Sequence, residues 1–558
     1  MLEVDTILEH IGKFGRFQRI TFALGCFCAL LCGMPVVQDS FVMFNNPHRC
    51  AVPVCDPDSD ADYDAEYLNY TVPADDEYTW SQCEKFFVVE PENASCIPED
   101  FDEDKTVKCH KWVYDTSLFQ SSTVSDFDLV CDRAYLSPLA STCYMAGMLV
   151  GSIVLGDISD RFGRKVALII SVLLIGVSGI LSAVSPNIIM FLITRVFTGM
   201  GGVALFATVF ILAVEFVGAE YRTFCGILIE IPFALGEATV GVLAMGIRDW
   251  RWLQAAITAP FFLCITYWWF MPESVRWLIS KGRNAEAVKI IEKAAKVNKA
   301  TLPKELLQIP DDKFEEDIAV ISSKADLLNP QEKQRSKTVL DLLRTPNMRK
   351  RSINLFFCWA VCTLCYYGLS QNAGNLGGDI FLSFILTMLI EIPSYIFCWL
   401  VLDSLVRKNS FSFLTFLAFE IKFLFEIKFQ VEWLMLTLSL VGKFGMSAAF
   451  AIIYVYSAEI FPTDYRSVGI GACSMFARVG GMLAGPIASL SEFYQSLPLL
   501  IFGLLSIISG LLVVFLPETV GCELPLNLEE SEEFGKDQGV LYFTCWGQKN
   551  EVKESETQ

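Results

Sequence analysis

Apolar residues along the chain gather into runs of roughly 17 to 25, long enough for a helix to cross a hydrocarbon layer of about 30 Å. Twelve such runs occur, at 20–43, 134–156, 166–184, 187–214, 223–247, 253–271, 352–371, 379–402, 410–429, 431–457, 467–490 and 497–516. The pattern predicts an all-α membrane protein with twelve transmembrane helices, because only a continuous helix or a closed barrel satisfies its own backbone in lipid. The ninth run contains Glu420, Lys422, Glu426 and Lys428, read as paired or snorkelling charges near a helix end. The polar intervals define an amino terminus at 1–19, a loop at 44–133, a second loop at 272–351 and a tail at 517–558. Helices 2–6 fill 134–271 and helices 7–12 fill 352–516.

Composition agrees: 53% of the 558 residues are hydrophobic, with a mean hydropathy of +0.44, which excludes an ordinary soluble domain. The formal charge of −20 is unevenly spread, since Asn45 to Arg133 holds 21 acidic and 6 basic residues. This first loop also carries Cys50, Cys55, Cys83, Cys96, Cys109 and Cys131, with the glycosylation sequons Asn69-Tyr-Thr and Asn93-Ala-Ser. An even number of cysteines there predicts a disulfide framework in an oxidising compartment, with fifteen connectivities open. A zinc site is the poorer reading, since no C-x-x-C pair occurs and only His48 and His110 are at hand. The loop is therefore expected outside the cell. The 17 Lys and Arg between Arg276 and Arg351, and the trio Arg161, Arg164 and Lys165, place the opposite loops in the cytoplasm. Both termini fall on that side, the first run reading as an uncleaved helix rather than a signal peptide. The stretch 285–297 has helical periodicity, and the Glu- and Ser-rich tail is expected to be disordered.

The chain repeats itself. "AVEFVGAEYR" follows the fourth run and "SAEIFPTDYR" the tenth, so Glu215 and Arg222 map to Glu459 and Arg466 at an offset of 244. "MPES" and "LPET" pair Glu273 with Glu518 at 245, and "GDISDRFGRK" aligns Asp160 with Asp403 at 243. A constant offset implies two pseudo-symmetric six-helix bundles, an architecture of transporters that bind substrate near the midplane. The repeated Asp160, Arg161, Arg164, Glu215, Arg222, Glu273, Glu459, Arg466 and Glu518 are gate candidates able to pair across the halves, or plain topology determinants and helix-end caps.

"GDISDRFGRK" and "RVFTGMGG" resemble signatures of the major facilitator superfamily. The cysteine-rich loop, "MPESVRWLISKGR", "IRDWRWL", "YYGLSQNAGNLGGDIF", "EIP" at Glu391 and "GKFGMSAAFAIIYVYSAEIFPTDYR" together resemble its organic cation, carnitine and organic anion transporter family, from about residue 10 to 525. The resemblance implies a plasma-membrane carrier working by alternating access around a central cavity.

Where the cation carriers carry an acid, this chain has Arg478, as in the carnitine and anion branches, and Lys443 in "GKFG" points the same way. Arg478 keeps its proton and offers a fork to a carboxylate or sulfate; the alternative is a pair with an acid such as Glu391. Glu230 and Glu237, seven residues apart on one helix face, are acids the family does not supply. They attract an amine, or bridge to Arg195, Lys443 or Arg478. Trp359 and Tyr366 match rings that line the cation pocket in the resembling family, with Tyr367, Phe381, Tyr454 and Tyr456 on helices expected to face the centre. The set Arg478, Glu230, Glu237, Trp359, Tyr366, Phe381, Lys443 and Glu391 thus describes a pocket for a carnitine-like betaine or an amine conjugate. An organic anion exchanger using Arg478 and Lys443 is the alternative, and a non-transporting receptor with the carrier fold a third reading. Three histidines and the lack of H-E-x-x-H, G-x-S-x-G and Walker motifs argue against an enzyme, a metal or a cofactor. The expected partners are the lipid bilayer and a small organic cation, zwitterion or anion, not nucleic acid; the coupling ion stays open.

Overall fold

The computed structural model describes residues 4–56, 61–75, 79–89, 95–300, 338–371, 373, 378–401, 410–412, 414, 432–492, 494, 497–519 and 525–536. The charged part of the ninth run, Asp403 with Arg407 and Lys408, the sequon residue Asn93 and the segment 301–337 lie outside them.

Among the described residues eleven helical stretches are long and apolar enough to cross a bilayer. The first half opens with a short α1 (Val4–Ile11) and continues with α2 (Arg16–Val37), α3 (Leu136–Phe162), α4 (Arg164–Ala183) and α5 (Ile188–Glu215). The fifth span is two helices, α6 (Ala219–Leu228) and α7 (Glu230–Gly246), and the sixth runs from α8 (Trp250–Thr258) into a 3-10 stretch at Ala259–Thr266. After α9 (Asn284–Asn298), formed by the periodic stretch 285–297, the second half holds α10 (Pro346–Gln371), α11 (Ile380–Leu389), α12 (Glu391–Val401), α13 (Glu432–Ile460), α14 (Arg466–Ala488) and α15 (Leu497–Val514).

Small residues let these helices meet closely, as membrane packing demands where lipid offers no hydrophobic drive. A Cβ on Gly147 would sit 2.0 Å from the Val196 carbonyl oxygen, and one on Gly199 would sit 2.1 Å from that of Tyr144, so α3 and α5 touch backbone to backbone. The same holds for α14 against α10, where a Cβ on Gly480 would lie 2.0 Å from the Ala360 carbonyl oxygen.

The first loop folds as three two-stranded ribbons: β1 (His48–Cys50) with β6 (Trp112–Tyr114), β2 (Ala74–Asp75) with β3 (Thr79–Trp80), and β4 (Glu84–Val88) with β5 (Phe101–Lys108). Disulfides join Cys50 to Cys109, Cys55 to Cys96 and Cys83 to Cys131, which selects one pairing from the fifteen. At its heart the fully buried Arg49 grips Asp56 through bonds of 2.8 and 3.0 Å. Burial alone would raise the Asp56 carboxyl, but the bonds from Arg49, Tyr67 and the Val52 amide hold it below the usual carboxylate range. The domain is tied to the helix ends, with Trp250 Nε1 donating to Asp126 at 2.9 Å and Ser121 Oγ to Asp249 at 2.8 Å.

The described part of the tail departs from the expected disorder. Residues 525–536 return to the bundle, and α16 (Leu528–Glu533) places the Glu532 carboxylate on the backbone amides of Asn347 and Met348 at 2.9 to 3.0 Å. The first amides of a helix lack partners inside it, and an acid at that end also meets the positive pole of the dipole. An acidic sequence that reads as solvated is thus consumed in capping α10.

Candidate functional site

The break in the fifth span has a chemical cause that repeats. Leu228-Ile229-Glu230-Ile231-Pro232 recurs as Leu389-Ile390-Glu391-Ile392-Pro393. Proline carries no amide hydrogen and crowds the preceding turn. In both places one residue separates the end of the preceding helix from the acid, so α6 ends at Leu228 and Glu230 opens α7, while α11 ends at Leu389 and Glu391 opens α12. The repeated pentapeptide is a signal that periodicity alone does not expose.

Glu391 meets Lys443 of α13, with Nζ 2.7 Å from Oε1 and both side chains fully buried. Lys443 also donates to Ser370 Oγ at 2.6 Å and stands 3.4 Å from the Tyr366 ring centroid. Tyr395 donates to the other Glu391 oxygen at 3.0 Å. Across the interface between the halves, the Tyr366 hydroxyl lies 3.2 and 3.4 Å from the two oxygens of Glu237, itself fully buried on α7. One tyrosine therefore holds an ammonium on its face and a carboxyl at its hydroxyl.

Arg478 is partly exposed on α14, and among the described residues it makes no ion pair. The pairing of Arg478 with Glu391 considered from sequence is not formed, since Lys443 occupies Glu391. The bridges considered for Glu230 and Glu237 are not made either: Arg195 pairs instead with Asp39 at 2.7 Å. Tyr454 of α13 is 46% exposed.

The rings divide. Trp359 is fully buried, donates to Ser457 Oγ at 2.8 Å and packs 4.8 Å from Tyr454, so it supports that ring from behind. Phe381 stands apart from this group. It stacks on Phe41 at 5.7 Å and packs near Phe119 at 5.6 Å, at the end that carries the loop domain. Tyr456 donates to the Pro517 carbonyl at the other end.

At the loop-domain end the halves are joined: Thr142 donates to the Met482 carbonyl at 3.0 Å, and Gln371 donates to Ser141 at 2.8 Å. Ser141 bonds Asp39 at 3.1 Å, and the Arg195 guanidinium paired with Asp39 lies 4.6 Å over Tyr144. Asp39 escaped the sequence reading, although it is a lone acid at the end of the first apolar run. At the opposite end, Asp160 pairs with Arg164 at 2.5 Å and Arg161 with Asp157 at 2.8 Å. The Glu273 carboxylate accepts from the Arg164 amide at 2.9 Å, and Ser274 donates to Glu215. Burial pushes the Glu273 carboxyl up, against the lowering effect of the Ser274, Lys165 and Arg164 amides. In the second half Thr519 donates to Glu459 at 2.7 Å and its amide to Glu518 at 3.1 Å, while Arg466 reaches Thr463 at 3.4 Å. These contacts lie within each half. Arg222 sits partly buried on α6 in the same region.

Two bundles, an intramembrane set of paired and unpaired charges between them and polar contacts closing one end form a carrier's arrangement. The family described as sugar (and other) transporter matches residues 78–529. The organic cation transporter protein of Drosophila melanogaster is 37% identical, covering 95% of both chains. The organic cation/carnitine transporter 2 of Homo sapiens is 33% identical over 95% of this chain and 94% of its own, and solute carrier family 22 member 1 of Oryctolagus cuniculus is 34% identical over 95% and 96%. This chain belongs to solute carrier family 22. The fold agrees with the xylose transporter XylE from E. coli in a partially occluded inward open conformation, at a TM-score of 0.57, 15% identity, and coverage of 91% of this chain and all of that one. The carrier is thus a membrane transporter of the major facilitator fold and not an enzyme.

Proposed function

We propose that this carrier moves small organic cations and carnitine-like zwitterions across the plasma membrane by alternating access. The reading is carried by Tyr366, which holds the Lys443 ammonium on its ring face and the buried Glu237 carboxyl at its hydroxyl across the interface between the halves. A passenger with both signs sets its acid on Arg478 and its ammonium toward Glu230, Glu237 and Tyr366, where ring faces contribute about 0.5 to 2 kcal/mol to a desolvated cation. The names of the relatives, organic cation and organic cation/carnitine transporters, support the substrate class. The organic anion reading is weaker because Lys443, its second cation, is already paired with Glu391. Trp359 acts by holding Tyr454, and the charges around Asp160, Glu273, Glu459 and Arg466 act in the gate.

Uptake by cells expressing the carrier, compared across carnitine, tetraethylammonium and a dicarboxylate with and without sodium, tests this. Carnitine or tetraethylammonium is expected to exceed the untransfected background at least about tenfold; transport of the dicarboxylate alone would replace this reading by the anion one.

The same reading places the loop domain outside the cell and both termini within it. Asn69 is exposed, so Asn69→Gln is expected to remove one glycan from the mature carrier, seen as a faster-migrating band. If the band of wild type is itself untouched by glycosidase and Asn69→Gln changes nothing, the orientation is reversed.

A further inference from the structure

The interior of the site carries more negative than positive charge. Glu237, Glu391 and Lys443 are all fully buried. Lys443 balances Glu391 at 2.7 Å, which leaves Glu237 with a tyrosine hydroxyl as its recorded hydrogen-bond partner, 3.2 and 3.4 Å away. An ionised carboxylate out of water, without a counter-charge, is among the most costly groups a protein can hold. Two things relieve it: a proton, or a positive passenger.

Among the described residues no positive group is hydrogen-bonded to Glu237, and the unpaired Arg478 stands on α14, beyond Tyr367. The helix of Glu237 brings Glu230, of the same sign. From α10 come Tyr366 and Tyr367, from α12 Glu391 and Tyr395, and from α13 Lys443. The packed segment of α2 presents the backbone of Gly33, and α11 presents Phe384 and Ile385 near Gly241. The single ammonium of this set is already held three ways, by Glu391, by Ser370 and by the Tyr366 ring.

We infer that Glu237 is a proton site of the empty carrier, and that an organic cation arriving beside Tyr366 exchanges with that proton. The Glu237 O–H bond breaks, the proton leaves to water past the partly buried Tyr366 side chain, and the carboxylate so formed balances the cation. One positive charge enters and one departs, so the site keeps its net charge through the cycle. This exchange rests on the cation reading given above, but the protonation of Glu237 does not.

Purified full-length carrier tests the two parts separately. Infrared spectra of the substrate-free protein at neutral pH are expected to show the carbonyl stretch of a protonated carboxyl, missing in Glu237→Gln, whose amide copies the shape of the neutral acid. Tetraethylammonium, which has no proton of its own, is the probe for the second part. In weak buffer it is expected to release about one proton per wild-type carrier and to remove that band, with no release from Glu237→Gln. A wild type without the band, or a carboxyl region that Glu237→Gln leaves unchanged, overturns the proton site. A band of the right origin that tetraethylammonium leaves in place, with no proton released, overturns the exchange. Loss of transport in the uptake panel with the band intact refutes the cation reading and spares the proton site.

Discussion

Lys443→Met is expected to strip most of the carrier from the cell surface and to lower the thermal stability of whatever is purified. Its ammonium is fully buried against Glu391 at 2.7 Å. Removing one member of such a pair strands the other, at a cost of about 3 to 5 kcal/mol, which is a factor of roughly 10² to 4 × 10³ in the folded population. Glu391→Gln should cost a comparable amount for the converse reason. The double change Lys443→Met with Glu391→Leu should recover much of the loss, because two apolar side chains of similar volume need no partner. A double-mutant cycle on melting of the purified protein measures this. Additive losses would mean that the two residues do not depend on each other and would remove the pair as an electrostatic support of the site.

The cycle bears on why parts of this molecule could be read in advance and others not. Eleven of the twelve spans were legible because lipid imposes length and apolarity on each helix separately, and the two halves were legible because Glu215, Arg222 and Glu273 recur at a constant offset. The disulfide pairing was not, since six cysteines within one loop say nothing of which strands bring them together. Within the site, Glu237 and Lys443 announced themselves as charges where charge is costly, but their partners depend on how helices rotate against one another. Hence Arg195 could be weighed as a partner for Glu230, when the fold gives it Asp39. Phe381 shows the same limit: a ring on a helix expected to face the centre can lie at any depth, and this one lies with Phe41 at the loop-domain end. The capping role of Glu532 was hidden for another reason, because an acid that will sit on a helix end looks in sequence like any solvated one.

Arg478 is the charge whose use the fold leaves most open, and reversing it should change which molecules are carried. Arg478→Asp is expected to lower carnitine uptake by about 100-fold or more. A carboxylate loses charge-assisted hydrogen bonds that contribute about 1.5 to 3 kcal/mol and meets a like charge in their place. Tetraethylammonium, which offers no acid to Arg478, should retain uptake within about threefold of wild type or gain, since an added carboxylate attracts it at roughly the strength of a partly screened ion pair. Arg478→Lys separates charge from shape: it keeps the positive sign but not the planar fork, so carnitine uptake should fall by about tenfold, the equivalent of 1.4 kcal/mol, with most of the change in KM. Surface biotinylation of each variant normalises the comparison. Should carnitine enter Arg478→Asp cells as fast as wild type, the arginine touches no passenger, and a binding site spanning the halves around Tyr366 has lost its acid-binding end.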